Sequence, residues 1–312
     1  MSERTIDILS VGETLIDFIG TQPEHPISKT KDYHRYLGGS PTNVAMNMSR
    51  LGVNVEMVAT IGDDGFGEYI MKRFAENNVN TESIRVSESV PTTVIFVSRT
   101  TGTPEFVALR GADSEIIWDQ ISEEKLKKCK IFHTSCFALS KEPARSTILE
   151  SARRAAELGC QLSIDINYSE KIWPDTKAAT NTITEYCSLN PIVKVSQDDV
   201  DRLFGPGMNH EEIFEYIHGL GVDVVCLTLG KDGAKLSERG KEVIQFSALK
   251  VEKIMDATGA GDAFWSGFLF ATLAGKSKEE QLKTGLKMAA IKLQNVGRIP
   301  DFATELSNFL EF

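Results

Sequence analysis

The sequence predicts an α/β fold, a mostly parallel sheet with helices on both faces. Two observations carry that prediction. Short β-rich runs alternate with helical patterns over most of the 312 residues. Each run also reads as a buried strand ending in a polar residue or a glycine. A third observation marks an exception. Residues 92–111 alternate apolar and polar side chains on either side of TTGT, the pattern of an antiparallel hairpin.

Taken in order, IDILSVG (6–12) is the first strand, and residues 15–37 are expected to add strands beside the later hairpin. PTNVAMNMSRLG (41–52) follows as a helix. Pro41 suits its first position with Ser40 as cap, Val44, Ala45, Met48 and Leu51 make one apolar face, and Gly52 closes it. VEMVATIG (55–62) is a strand and GEYIMKRFAENN (67–78) a helix. The hairpin of 92–111, a small β-element inside an α/β domain, is a candidate lid; an edge hairpin of the main sheet fits the pattern equally. Strands KIFHTS (130–135), QLSIDIN (161–167), PIVKVS (191–196) and DVVCLTLG (223–230) then alternate with helices EPARSTILESARRAAELG and EEIFEYIHGLG. A helix is expected from about Ala260 to Ala274, and another at IKLQNVG (291–297). No repeat or linker divides the chain, so a single domain over 1–312 is expected, with strands from about 15–37 and 92–111 inserted.

Composition excludes several function classes. The apolar share of 41% and charged share of 25% suit a soluble globular protein. A net charge of −10 gives no counterion-release energy on DNA or RNA, so no nucleic-acid partner is expected. The basic stretch KLKKCK (125–130) reads as the solvated face of a helix. Five cysteines without a CxxC pair argue for reduced thiols packed in the core and for a cytoplasmic protein. The five histidines have no zinc-ligand spacing. No signal peptide and no run of 18 apolar residues is present, so no membrane partner is expected.

Four stretches could carry chemistry. In DATGAGDAFWSG (256–267), a glycine-rich turn runs straight into a helix. Unpaired N–H groups at a helix start favour an anion, and small residues let the backbone approach it. Helix capping accounts for one aspartate in such a turn but not for Gly259, Ala260 and Gly261 around it, which favours Asp262 as a base beside a phosphoryl-binding nest. The segment is neither a Walker loop nor a dinucleotide fingerprint, since GAGDAF ends in Phe264 where a small residue is required. In YLGGSPTNVA (36–45), capping explains everything except the Gly38–Gly39 pair and Asn43, whose amide could meet a polar ligand. VGETLID (11–17) places Asp17 at a strand exit, where an ordinary loop charge is an equal account. TLGKDGAKL (228–236) reads as a turn through Asp232–Gly233, with a nucleotide against the glycine backbone as the sharper option.

In this order the stretches resemble the signatures of the ribokinase-like (PfkB) carbohydrate kinase family. GGSPTNVAMNMSRLG is similar to its N-terminal signature and DATGAGDAFWSGF, the more specific match, to its C-terminal one. The resemblance runs from about residue 6 to residue 300. It implies a three-layer α/β/α sandwich with a small β-sheet lid, and ATP-dependent phosphoryl transfer to a sugar hydroxyl. On that resemblance Asp262 is the base, and Gly259, Ala260 and Gly261 hold the transferring phosphoryl. Asp17, Gly38, Gly39, Asn43 and Asn167 are expected at the sugar. Thr228, Gly230 and Gly233 are expected along ATP, with Ser196 near its phosphates and Asn295, in IKLQNVG (291–297), near its base. Magnesium is expected to bridge the phosphates, and potassium is a further candidate through backbone oxygens near Asp256 and Thr258.

Within the family, VGETLIDF and GGSPTNVA are most similar to fructokinases, which makes fructose the expected acceptor. SIDINYSEKIWPD (163–175) resembles a segment of fructokinases and of kinases of 2-keto-3-deoxygluconate and 5-dehydro-2-deoxygluconate, but Ser169 stands where those usually carry arginine. That departure weakens the two sugar-acid readings and, to a lesser degree, fructokinase. Arg110, after the hairpin, could supply the cation instead. In VKVSQDDV (193–200), Ser196 and Asp199 replace the usual asparagine and glutamate; the retained carboxylate is expected to meet magnesium through water, while a capping box also accounts for it. Ribokinase and nucleoside kinase are nearer alternatives, and a non-catalytic sugar- or nucleotide-binding regulator is the alternative of a different class. An apolar outer face on the lid would favour a homodimer.

Overall fold

The computed structural model describes residues 4–100 and 105–295. Nine strands form one large sheet. In spatial order they are Ile244–Phe246, Ala234–Glu238, Val224–Thr228, Ile192–Ser196, Gln161–Ile166, Cys129–Ser135, Ile6–Val11, Val55–Gly62 and Ile84–Ser87. From Val224–Thr228 onward every neighbouring pair is parallel. The first two strands of that order pair antiparallel at one edge. Parallel strands need crossovers, and helices supply them, covering both faces in two separate apolar layers. Ile148, Ile183 and Phe214 pack into one layer; Met48, Phe74, Trp265 and Phe268 pack into the other. The three-layer α/β/α arrangement expected from the sequence is the observed one.

A second sheet of four strands stands apart, in the order Tyr33–Gly38, Leu15–Pro23, Val94–Arg99 and Phe106–Leu109. Leu15–Pro23 pairs parallel to Val94–Arg99, which pairs antiparallel to Phe106–Leu109. The hairpin alternation is thus visible in space: Ile95 and Val97 are buried, while Val107 and Leu109 are exposed on the edge strand. Part of the TTGT tip, residues 101–103, lies outside the described residues, as do Val296 and Gly297 of IKLQNVG.

Two local expectations change, and one helix is added. Asp17 is not at the exit of the first strand; it lies within Leu15–Pro23 of the small sheet. Ser40 does not cap its helix. The helix Ser40–Arg50 starts one residue earlier than its cap pattern suggests, with Gly39 as the N-cap at φ 105°. The helix Thr176–Cys187 was not foreseen, although Ala179, Ile183, Tyr186 and Cys187 recur at helical spacing and are buried; Asp175 caps it, accepting from the N–H groups of Lys177 and Ala178. All five cysteines are free and buried. Among the described residues no helix is long and apolar enough to cross a membrane.

Candidate active site

The site forms where the carboxyl ends of the parallel strands meet the small sheet and two helix starts. The helix Ala260–Leu273 begins at Gly259, which takes the left-handed conformation at φ 77° that a residue with a side chain rarely adopts. Gly261 is favoured for another reason: a Cβ there would lie 3.0 Å from the Lys194 ammonium, which the Asp165 pair holds in place. The turn is therefore free of large side chains at a helix start, and its Ala260 N–H donates to the Ala257 carbonyl at 3.2 Å. Asp262 lies in the first turn of that helix but caps no backbone. Its Oδ1 accepts from Ser40 Oγ at 2.7 Å and its Oδ2 from Asn43 Nδ2 at 2.8 Å. Burial raises its pKa, opposed by the Ser40 hydrogen bond, Lys194, Asn43 and Lys292. The result is a desolvated carboxylate aimed by two donors, the condition of a general base.

The double glycine now has a physical cause. A Cβ on Gly38 would collide with the Asp17 carboxylate, and one on Gly39 with the Glu13 carbonyl. Glu13, which sequence reasoning passed over, fixes the start of the helix. Its Oε1 accepts from the Ser40 N–H at 2.9 Å and its Oε2 from Ser135 Oγ at 2.7 Å. Burial pushes Glu13 up to about 8. Asp17 is half-buried, and burial followed by repulsion from Asp262 and Asp256 pushes it up to about 7.

Two buried ion pairs flank the turn, and neither was foreseen. Lys194 Nζ bonds both oxygens of Asp165, at 2.9 and 2.7 Å. Burial pulls Lys194 toward neutrality, but Asp165, Asp199 and Asp262 around it prevail and raise its pKa. On the other side Lys292 Nζ lies 3.2 Å from Asp256 Oδ2. The readable signal was a lysine inside the apolar strand PIVKVS, since lysine is rarely buried without a partner.

A cavity of about 370 Å³ opens at this point. Asp17, Asn43, Asp256, Thr258, Gly259 and Lys292 line one end; Arg35, Arg50, Tyr69 and Arg73 line another part of its wall. Arg35 lies over the Tyr69 ring, 3.8 Å from its centre.

Other expected residues sit differently. Arg110 is neither a surface residue nor part of the cavity wall: it is buried, bonded to Asp113 and to Ser140 Oγ, and stacked over Phe137. Asn167 accepts from the Phe137 N–H at 3.1 Å and also lies off that wall. Asp199 is the closing residue of a capping box with Ser196, and its Oδ1 accepts from Arg202 at 2.8 Å. Thr228 ends its strand beside Ser196, its register partner. Gly233, at φ 101°, is demanded by the turn itself, since a Cβ would strike the Phe246 carbonyl, whereas Gly230, at φ 56°, faces open space. The Asn295 side chain closes the helix Lys278–Leu293 by donating to the Ile291 carbonyl at 2.8 Å.

The pfkB family carbohydrate kinase model matches residues 5–305. The chain belongs to that family. Among solved structures, Halothermothrix orenii fructokinase is 34% identical with a TM-score of 0.81, covering 91% of this kinase and 98% of that chain. An uncharacterized sugar kinase from Pyrococcus horikoshii, in complex with ATP, is 27% identical with a TM-score of 0.81, covering 93% of each chain. The ATP-dependent 6-phosphofructokinase of Thermoanaerobacterium thermosaccharolyticum is 33% identical over 302 residues, 96% of this kinase and 91% of the relative. The activity expected from the sequence, an ATP-dependent sugar kinase, is the activity of this family.

Proposed function

We propose that this kinase transfers the γ-phosphoryl group of ATP to a hydroxyl of a ketohexose, with fructose the first candidate. The observation that carries the reading is Asp262. It is half-buried, held by Ser40 and Asn43, and lies in the first turn behind Gly259 beside the cavity that contains Asp17. The acceptor sits at Asp17 and Gly38–Gly39. Its hydroxyl proton passes to Asp262 as the oxygen–phosphorus bond forms, and the bond from the γ-phosphorus to the leaving oxygen of ADP breaks with its electron pair going to ADP. The N–H groups of Gly259, Ala260 and Gly261 hold the transferring phosphoryl, and Lys194 adds fixed positive charge behind Gly261. Asn43, expected at the sugar, is assigned here to aiming the base.

ATP lies against the strand end at Thr228 and Gly230, with Ser196 beside it and Asn295 toward the base. Magnesium supplies charge neutralisation between the phosphates. Asp199 fits a water-mediated part in holding it, because a carboxylate keeps lone pairs beyond those taken by Ser196 and Arg202. The four-stranded sheet closes over the sugar as a lid. A homodimer through that sheet would cover Val107 and Leu109, and sedimentation velocity tests it. The reading places the chain, as one domain, in the cytoplasm.

A second reading, a ketohexose that already carries a phosphate, is favoured by the cavity wall. Arg50 stands seven residues beyond Asn43 on one helix, about 10 Å along its axis, and Arg35 and Arg73 line the same cavity. Guanidinium forks suit phosphate. The T. thermosaccharolyticum relative is named for such an acceptor. ADP release with Mg-ATP across fructose, fructose 6-phosphate, ribose, 2-keto-3-deoxygluconate and adenosine decides between them. Fructose used best supports the first reading; fructose 6-phosphate used best, with KM raised in Arg50→Met, supports the second. A preference for any of the other three overturns both. Asp262→Asn should lose turnover by about 10²–10⁴-fold while ATP still binds, and near-normal turnover would remove the base assignment.

A further inference from the structure

The potassium expected near Asp256 and Thr258 meets a lysine. Lys292, in the last turn of the helix Lys278–Leu293, places its ammonium 3.2 Å from Asp256 Oδ2 and 3.1 Å from the Asn295 carbonyl oxygen. The other Asp256 oxygen accepts from the Thr258 N–H at 2.9 Å. Both side chains are almost wholly buried, at 4% and 8% exposure. The Lys292 Cε would also lie 3.6 Å from a Cβ built on Gly259. One ammonium thus ties the segment before the anion turn to the segment after the helix Lys278–Leu293.

We propose that the Lys292 ammonium is the resident monovalent cation of the anion turn, so that the kinase works without potassium. An ammonium has three donors and no acceptor, and two of them already bind the carboxylate and the carbonyl. A potassium ion on the backbone oxygens near Asp256 and Thr258 would sit beside this fixed positive charge. Like charges held so close in a partly buried site repel, because little water lies between them to screen the pair. The residues present therefore do not fit a second cation. The covalent one has a further consequence: it holds Gly259 and its neighbours in place at every salt composition, whereas a bound ion would do so only above its dissociation constant. Lys292 acts here through the turn, as a positioning residue.

The inference rests on the assignment of residues 259–261 as the phosphoryl site, and its test is chosen to be separable from that assignment. Thermal unfolding of the full chain is followed in potassium, sodium and tetramethylammonium chloride at equal ionic strength, alongside ADP release. The wild type should show the same melting temperature and, within about 2-fold, the same turnover in all three. Lys292→Ala should lose at least about 10-fold in turnover in tetramethylammonium and recover in potassium, with a melting temperature that potassium raises and tetramethylammonium does not. If Lys292→Ala does not fold, Lys292→Met, which keeps the buried stem, gives the same two readouts. A wild type that potassium stabilises or activates more than about 5-fold overturns the proposal. So does a folded variant that no small cation restores. The melting shift needs no turnover, so it reports on Lys292 even if the kinase assignment of the turn fails.

Discussion

The two sides of the anion turn hold their positive charge in different ways. Behind Gly261, Lys194 is clamped by both oxygens of Asp165 in the middle of the parallel sheet, and three carboxylates keep it charged. Before Gly259, Lys292 meets one carboxylate oxygen and one carbonyl beside an open cavity, and burial, only partly offset by Asp256 and Asp262, lowers its pKa. The first is a deep bidentate pair on rigid strands. The second is a tether between a loop and the end of a helix. The deep side sets the geometry that the reaction needs, and the shallow side keeps the loop attached to it.

Lys194→Met breaks the deep side and carries the largest expected effect. Removing one partner of a buried pair leaves an uncompensated charge and costs about 3–5 kcal/mol. Turnover should also collapse, because the charge behind Gly261 is gone. The double variant Asp165→Asn/Lys194→Met separates the two losses. Its stability should return to within about 1–2 kcal/mol of wild type, since no lone charge remains, while turnover stays low. Recovery of both in a urea titration with a parallel ADP assay would make the pair purely structural.

Asp262 is aimed from the other helix start, by Ser40 and Asn43. Ser40→Ala removes one donor from Asp262, and a hydrogen bond to a charged group is worth about 1.5–3 kcal/mol. A fall in kcat of about 10–100-fold with ATP affinity unchanged is expected. A loss confined to KM for the acceptor would move Ser40 from the base to the sugar.

The comparison also explains what the sequence could show. The main strands were legible because strands buried on both faces read as apolar runs, and the anion turn because only small residues leave backbone donors bare. Gly38 and Gly39 were visible as a pair, but their reason was not: the Asp17 carboxylate and the Glu13 carbonyl reach them across strand-to-helix contacts. Ser40 read as a cap because a serine before Pro41 fits one, and tertiary structure turned its hydroxyl to Asp262 instead. Lys292 was hidden for the opposite reason. On a helix, a single lysine such as that of MAAIKL (288–293) reads as reaching out to solvent along its own stem, and nothing local reports that the chain of 256–259 covers it.

The smallest effect lies on the shallow side and separates function from stability. Asp17 is pushed up to about 7 from 3.8, first by burial and then by Asp262 and Asp256. A carboxyl with a raised folded pKa favours folding fully below its unfolded pKa, and that contribution is lost as pH rises through the folded value. Asp17 therefore weighs against the fold increasingly from about pH 4 to pH 7, as Glu13, pushed up to about 8 from 4.5, also does. Asp17→Asn removes its share. The variant should melt above wild type at pH 8, about 2–4 °C for each kcal/mol regained, with the gap narrowing as pH falls to 5. Acceptor binding should weaken in the same protein. A gap of equal size at both pH values would mean that the charge of Asp17 costs the fold nothing and that its raised pKa is not what the substitution relieves.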